Sequence, residues 1–304
     1  SDSARREGIS RPSTTFWKDA IGRLMKNKVA VVCFFIIVLL ILSCIVVPFF
    51  SPFESREQHL GEVNKGFMTV CTDSRYEGQH HVHYFGTDNL GRDLFLRAFE
   101  GGRVSLMIAF AAVFVNLIVG LIYGGISGYI GGAVDTIMMR IVEIVNGIPY
   151  LIVVILLMMV LPKGIFTMVV AYGITGWTGM ARLVRGQVLQ LKSQEYIVAA
   201  EAMGAKSSRI IAKHLIPNAL SVIIINVTLA IPSAIFTEAF LSYIGLGVPV
   251  PQPSWGVLAK GGQDVFMTYP YQLVVPAVAI SLTMLSFNLL GDGLRDALDP
   301  KLKK

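Results

Sequence analysis

Several stretches of this chain run long without a single charged side chain: Val29–Phe53, Val104–Val134, Ile144–Pro162, Gly164–Ala181, Asn218–Thr237 and Val265–Gly291. A helix needs about 20 apolar residues to cross a hydrocarbon core roughly 30 Å thick. Each stretch meets or closely approaches that length. Backbone amides left unpaired in lipid cost several kcal/mol, so spans must be helices or closed barrels. These stretches are too long and too uniformly apolar for the alternating strands, about ten residues each, of an outer-membrane barrel. The expected fold class is therefore an all-α polytopic membrane protein. Its six transmembrane helices fall near 29–49, 104–127, 137–160, 165–182, 219–243 and 272–292. The third carries Arg140, Glu143 and Pro149 within it.

The charge balance agrees. Charged residues make up 15% of the chain, against roughly a quarter in soluble domains. The net charge of +6 is distributed by topology. Residues 1–28 carry seven Lys or Arg against three acids, segment 182–217 carries six against two, and segment 54–103 six against eight. Basic flanks stay in the cytoplasm, which places the N-terminus inside. With six spans, segment 182–217 and the C-terminus lie inside too. The basic excess is thus no sign of nucleic acid. The first apolar run follows 28 residues and lacks a small-residue cleavage site, as expected of an uncleaved signal anchor.

Before it, TTFWKDAIGRLMKNK sets Phe16, Trp17, Ala20, Ile21, Leu24 and Met25 on one helical face and Lys18, Arg23, Lys26 and Lys28 around the other. Such a helix lies in the cytoplasmic interface. Beyond the first span, residues 54–103 form an exterior segment too long for a hairpin. A short helix with Leu94, Phe95, Ala98 and Phe99 on one side is expected on the outer face there, leading into the second span. His80, His81 and His83 lie upstream. Without a matching Cys or carboxylate pattern they do not make a metal site, and no metal is expected. Cys33 and Cys44 read as small apolar residues of the first span, and Cys71 is alone outside, so no disulfide framework follows. The second exterior loop, 245–271, is rich in Pro and Gly; it reads equally as packing at a pore mouth or as a plain surface loop.

Catalysis finds little support. No G-x-x-x-x-G-K-[ST] loop is present, so the chain is not expected to bind ATP. GISG at Gly125–Gly128 matches the bare pattern of intramembrane serine proteases, but all five His lie outside the spans and no general base accompanies Ser127. Close helix packing is the better reading. Arg140 and Glu143, three apart, can neutralise one another. Glu143, Glu238, Asn116, Asn146, Asn226 and Asn288 are candidates to line a passage or to bind neighbouring helices, which the sequence does not separate.

One polar segment remains, EYIVAAEAMGAKSSRIIAKHLIPN from Glu195 to Asn218. A first helix presents Tyr196, Ala199, Ala200 and Met203 together. Gly204 turns the chain. Ser207 or Ser208 caps a second helix carrying Ile210, Ile211, Leu215 and Ile216, which Pro217 ends. This is a compact helical knob suited to being gripped by another body.

The segment resembles the cytoplasmic coupling motif of ABC-transporter permeases: Glu-Ala-Ala, three residues, Gly, nine residues, Ile-x-Leu-Pro. Ala199, Ala200, Gly204, Ile216 and Pro217 occupy motif positions, whereas Val198 replaces the Glu, His214 the first Ile and Ile216 the Leu. GAKSSRIIAKHLIPN is similar to the peptide-importer branch. So are FGTDNLGRDLFLRA, FLSYIGLGVPVPQPSWG and GDGLRDALDPK. Together they resemble the C-type permease of oligopeptide or dipeptide importers along nearly the whole chain.

The resemblance implies a type I importer permease fold. It pairs with a second, B-type permease around one passage, is driven by two ATP-binding subunits, and is fed with peptide by an exterior binding protein. It implies no catalytic residue and no cofactor in this chain, ATP and Mg residing on the partners. Glu195, Tyr196, Ala199, Ala200, Met203, Gly204, Ala205, His214 and Pro217 become the ATPase-coupling residues. The expected organisation is a leader (1–28), the first span (29–50), an exterior segment (51–103), a permease core (104–292) containing the coupling segment (183–218), and a cytoplasmic tail (293–304). The alternatives are a permease of the same family for nickel or a sugar derivative, and an ion-driven carrier or channel. Sparse intramembrane acids argue against the second, and the absence of His within the spans against nickel.

Overall fold

The computed structural model describes residues 16–73 and 81–298; the start of the leader, His80, and the tail from residue 299 lie outside them. Helix α1 (Phe16–Lys26) turns at Asn27 into α2 (Lys28–Phe50). The Asn27 side chain accepts from the Ala30 amide at 3.1 Å and so fills the first orphan donor of α2. The predicted amphipathic face of α1 does not simply lie outward. Ala20 is buried and Leu24 packs on the main core beside α12 (Tyr271–Leu298), whereas Trp17, Ile21 and Met25 stay exposed.

Helix α3 runs unbroken from Leu94 to Ile130. The separate short helix expected on the outer face is instead the first turns of this one. At 1.5 Å per residue it is about 55 Å long, so it extends well beyond a hydrocarbon slab. Asp93 caps it, accepting from the Leu96 amide at 2.7 Å.

The third predicted span is two helices, α4 (Gly132–Gly147) and α5 (Tyr150–Val160), bent by 80°. Pro149 is the cause: it disfavours helical backbone in the residue before it, and Ile148 is extended at φ −86°, ψ 120°. The fourth is divided at Gly176 into α6 (Ile165–Thr175) and α7 (Trp177–Lys192), which runs ten residues past the predicted end at 182. Then come α8 (Glu195–Ala202), α9 (Ser207–Ile210), one wide turn (Ile211–Leu215), α10 (Ile216–Tyr243), α11 (Trp255–Asp264) and α12. Among the described residues four helices are long and apolar enough to span a membrane, five if the bent α4–α5 pair is one crossing.

The main core joins α2, α3, α10 and α12 through Ile37, Ala109, Ile235 and Phe287, with both Cys33 and Cys44 inside it. Helices α3 and α7 approach closely along Gly120, Gly124 and Gly128. A Cβ on Gly124 would lie 2.3 Å from the Ala181 carbonyl oxygen. This is small-residue packing, and it accounts for GISG. The Ser127 hydroxyl is buried and donates to Asp135, itself clamped by Arg185, so nothing poises it as a nucleophile.

One end of the bundle gathers residues 51–73, 81–93 and 244–271. There β1 (Thr69–Val70) pairs antiparallel with β2 (Val82–His83). The Pro- and Gly-rich loop is not a plain surface loop. Its helix α11 drives Trp255 into the core, where the indole donates to the Ala98 carbonyl at 2.9 Å and the backbone amide donates to Ser105 at 3.1 Å. Tyr271 donates to the carbonyls of Lys65 and Thr87, and Gln272 donates to Asn64, tying this loop to the first.

Candidate functional site

The polar segment stands at the other end of the bundle. Ile197 and Ile210 are both 0% exposed, set among Val184, Val188, Leu215 and Ile223. They pin α8 and α9 onto the end of α7 and the start of α10. Burying such side chains contributes about 1.5–3 kcal/mol each, enough to hold two short helices that would not persist alone. Outward from these anchors lie Glu195, Tyr196, Val198, Ala199, Met203 and Gly204. Met203 is 81% exposed. Ala200 departs from the expected face: it is buried beside Ile197 against its own bundle. Ala205 and His214 are half-buried, and Pro217 is exposed.

Gly204 sits at φ +78°, in the left-handed region that glycine favours. A Cβ there would meet nothing within 4 Å. The requirement is conformational, with open space beyond it. The second helix starts with Ser207 already inside it and the Arg209 and Ile210 amides donating to Lys206, not from a serine cap.

Nor does Pro217 end a helix. It stands in the first turn of α10, where its missing N–H costs little. The wide turn before it, closed by the Ile216 amide on the Ile211 carbonyl, accommodates the ring. The Asn218 side chain donates back to the His214 carbonyl at 2.6 Å.

The rest of that end is cross-braced. Arg185 on α7 holds Asp135 through two 2.5 Å hydrogen bonds, and Lys192 donates to the Tyr129 carbonyl at 2.5 Å. A cleft of about 800 Å³ opens between α7, α10 and α12, lined in part by Gln187, Asn218, Ser221, Asn226 and Arg295.

The six polar candidates of the spans do not converge. Asn226 faces that cleft. Asn116 and Glu238 are buried in the bundle: Asn116 presses on Gly176, and one Glu238 oxygen accepts from Ser242 at 2.7 Å. Asn146 accepts from the Thr178 hydroxyl at 2.8 Å, pinning α4 to α7, and Asn288 lies at the surface. Arg140 and Glu143 do pair, at 2.6 Å, yet their side chains are 73% and 59% exposed on the outer side of α4.

The opposite end holds a polar knot that sequence spacing did not reveal. His83 is fully buried, with Nδ1 2.7 Å from Asp93 and Nε2 3.1 Å from Glu62. Burial opposes its protonation, but hydrogen bonds and charge from Asp93 and Glu62 outweigh that and raise its pKa. Burial likewise works against the Glu62 carboxylate, yet bonds from Thr72, Cys71 and His83 hold its pKa below the usual range. Burial pushes the Cys71 thiol up to about 11. His59, next to this group, bonds Asp73 through Nδ1 at 2.8 Å.

Comparison with known proteins matches two family profiles: the binding-protein-dependent transport system inner membrane component over residues 116–304, and the N-terminal TM domain of oligopeptide transport permease C over residues 15–66. The chain is 51% identical to the oligopeptide transport system permease protein OppC of Bacillus subtilis, covering 98% of this chain and 94% of that one. It is 47% identical to the dipeptide permease DppC of the same organism, over 98% and 90%. Against OppC of Escherichia coli K12 the figures are 43% identity over 97% and 94%. Among solved structures it resembles a chain of the MetNI methionine ABC transporter in an inward facing conformation. The TM-score is 0.55 at 20% identity, covering 67% of this chain and 96% of that one.

Proposed function

The chain belongs to the family of binding-protein-dependent transport system inner membrane components, multi-pass proteins of ABC importers that carry no ATPase of their own, and from that premise we propose that it is the C-type permease of an ATP-driven peptide importer. The observation that carries this is the knob at Gly204: anchored by Ile197 and Ile210, it offers Tyr196, Val198 and Met203 outward at one end of the bundle. Exposed apolar side chains on a rigid projection suit a docking partner. Val198 stands where the family motif has Glu, so the contact with the ATPase there is apolar.

In this reading the knob end is cytoplasmic, α4–α5 and α6–α7 each complete a crossing, and six spans put both termini inside. Two ATP-binding subunits seat on the knobs of this chain and of a B-type permease. The exposed Arg140–Glu143 pair supports such a partner, because charged groups at membrane depth face protein or a watery cavity rather than lipid. The cleft at Asn226 then opens on the passage. ATP-driven closure of the ATPases moves α8 and α9, and the movement passes to α7 and α10, which share their apolar contacts. ATP and Mg bind the partners; this chain contributes no catalytic residue. Residues 51–103 with 244–271 receive the binding protein that delivers peptide.

Affinity purification of the chain from membranes is expected to bring down a second permease and ATP-binding subunits, and the assembly in vesicles is expected to take up labelled peptide only with ATP and binding protein. Uptake of Ni²⁺ or a sugar derivative in place of peptide would move the cargo within the family. ATP-independent uptake by the chain alone would overturn the reading.

A further inference from the structure

A second site lies at the end of the bundle opposite the knob, and it does not depend on the cargo. One ring nitrogen of His59, a carboxylate oxygen of Glu62 and Sγ of Cys71 lie within 4.8 Å of one another, and all three residues are buried. They come from two separate pieces of chain, the turn at Leu60–Glu62 and the residue just after β1. We propose that His59, Glu62 and Cys71 bind a Zn²⁺ ion that fastens the turn at 59–62 to the β1–β2 ribbon.

Three features favour a metal over a chance meeting of side chains. First, the donor set is mixed: imidazole, carboxylate and thiolate together suit a borderline-soft ion such as Zn²⁺, whereas Ca²⁺ and Mg²⁺ take oxygen. Second, the distances are close to those required. Zinc bonds of about 2.0–2.3 Å place neighbouring ligand atoms roughly 3.5 Å apart. Sγ of Cys71 is already 3.3 Å from Glu62, and no pair of the three donor atoms is more than 4.8 Å apart. Third, the supporting bonds of a metal centre are in place. Asp73 accepts from His59 Nδ1 at 2.8 Å, which orients the ring. Glu62 is oriented by the Thr72 amide and hydroxyl and by His83 Nε2 at 3.1 Å. Ligating histidines and carboxylates are oriented in this way by neighbours.

Binding replaces the Cys71 S–H bond with a Zn–S bond and releases that proton to solvent. A water completes the tetrahedron. Because its ligands come from two separate pieces of chain, the ion acts as a cross-link: it stiffens the segment that also carries Asn64 and Lys65, the residues tied to α12 by Gln272 and Tyr271.

The test uses the complete complex, purified by a tag without histidine, stripped with a chelator, reloaded with Zn²⁺ and desalted. Zinc is counted by mass spectrometry, and trypsin resistance of residues 51–93 is followed from peptide fragments. The expected result is one zinc more per copy of this chain in the native complex than in the Cys71→Ser and His59→Gln variants. Asp73→Asn, which leaves all three ligands in place, is expected to weaken zinc binding about 10–100-fold. Because a variant can lose the site by misfolding, the native complex is also read alone: stripping should speed cleavage within 51–93 and Zn²⁺, but not Mg²⁺, should restore resistance. Equal zinc in native and variant complexes, or cleavage indifferent to stripping and reloading, would overturn the proposal.

Discussion

Arg185 grips Asp135 with both ends of its guanidinium edge, Nε to Oδ1 and Nη2 to Oδ2, each at 2.5 Å. The pair joins α7, whose far end carries the knob, to the tight turn between α3 and α4. A bidentate bond between planar groups fixes orientation as well as distance. In the proposed cycle, this pair carries movement of the knob to the turn into α4. Asp135→Asn and Arg185→Lys are each expected to lower ATP-driven uptake several-fold while leaving the complex assembled. The exchanged pair, Asp135→Arg with Arg185→Asp, should recover part of it. No recovery in the exchange, with both single variants impaired, would argue that geometry beyond the ion pair is at work.

Gly204 separates backbone demand from partner contact. At φ +78°, with open space where a Cβ would stand, Gly204→Asn keeps an accessible left-handed residue and Gly204→Val does not; forcing such a residue costs about 1–3 kcal/mol. Uptake should survive largely in the Asn variant and fail in the Val variant. Equal failure of the two would mean that the docked ATPase tolerates no side chain there.

The anchors of the knob can be loosened without touching its outer face. Ile197→Ala removes a buried side chain and is expected to cost about 2–5 kcal/mol locally. Faster amide hydrogen exchange across α8 and α9, with ATP hydrolysis retained and uptake reduced, is the expected pattern. Unchanged exchange would show that the knob is held by something other than its own apolar base.

Trp255 fixes α11 in the same manner at the far end. Trp255→Phe keeps most of the apolar volume and loses the bond to the Ala98 carbonyl, a cost of about 1 kcal/mol. Trp255→Ala leaves a cavity and should cost about 3–5 kcal/mol. Thermal inactivation of the detergent-solubilised complex should rank the two in that order.

What the sequence made legible follows the physics of each element. α2, α10 and α12 stand where long uncharged runs predict them, because length and apolarity alone decide a span. The bend at Pro149 had its signal in the proline, but whether a span kinks or breaks depends on what packs around it. Helix α11 left almost no trace: WGVLAKGGQD holds three glycines, poor helix formers, and it is held by Trp255 buried against α3. On the knob, the residues around Gly204 were visible from helix-forming residues and a turn glycine. Which side of α8 faces inward was not, since Ile197 and Tyr196 are both apolar neighbours and only the packing of α7 selects between them. The knot of His59, Glu62, Cys71 and His83 has no period at all; chain folding brings together residues up to 24 apart.

The claim on which the account rests is that the outer face of the knob seats an ATPase. The three native cysteines are buried, so Met203→Cys adds one exposed thiol at the tip. Its rate of maleimide labelling in native membranes is the direct measurement. Co-expressing the ATPase subunits is expected to slow labelling about tenfold, and labelling beforehand is expected to block ATP-driven uptake. Equal labelling with and without the ATPases, together with normal uptake by the labelled complex, would contradict it.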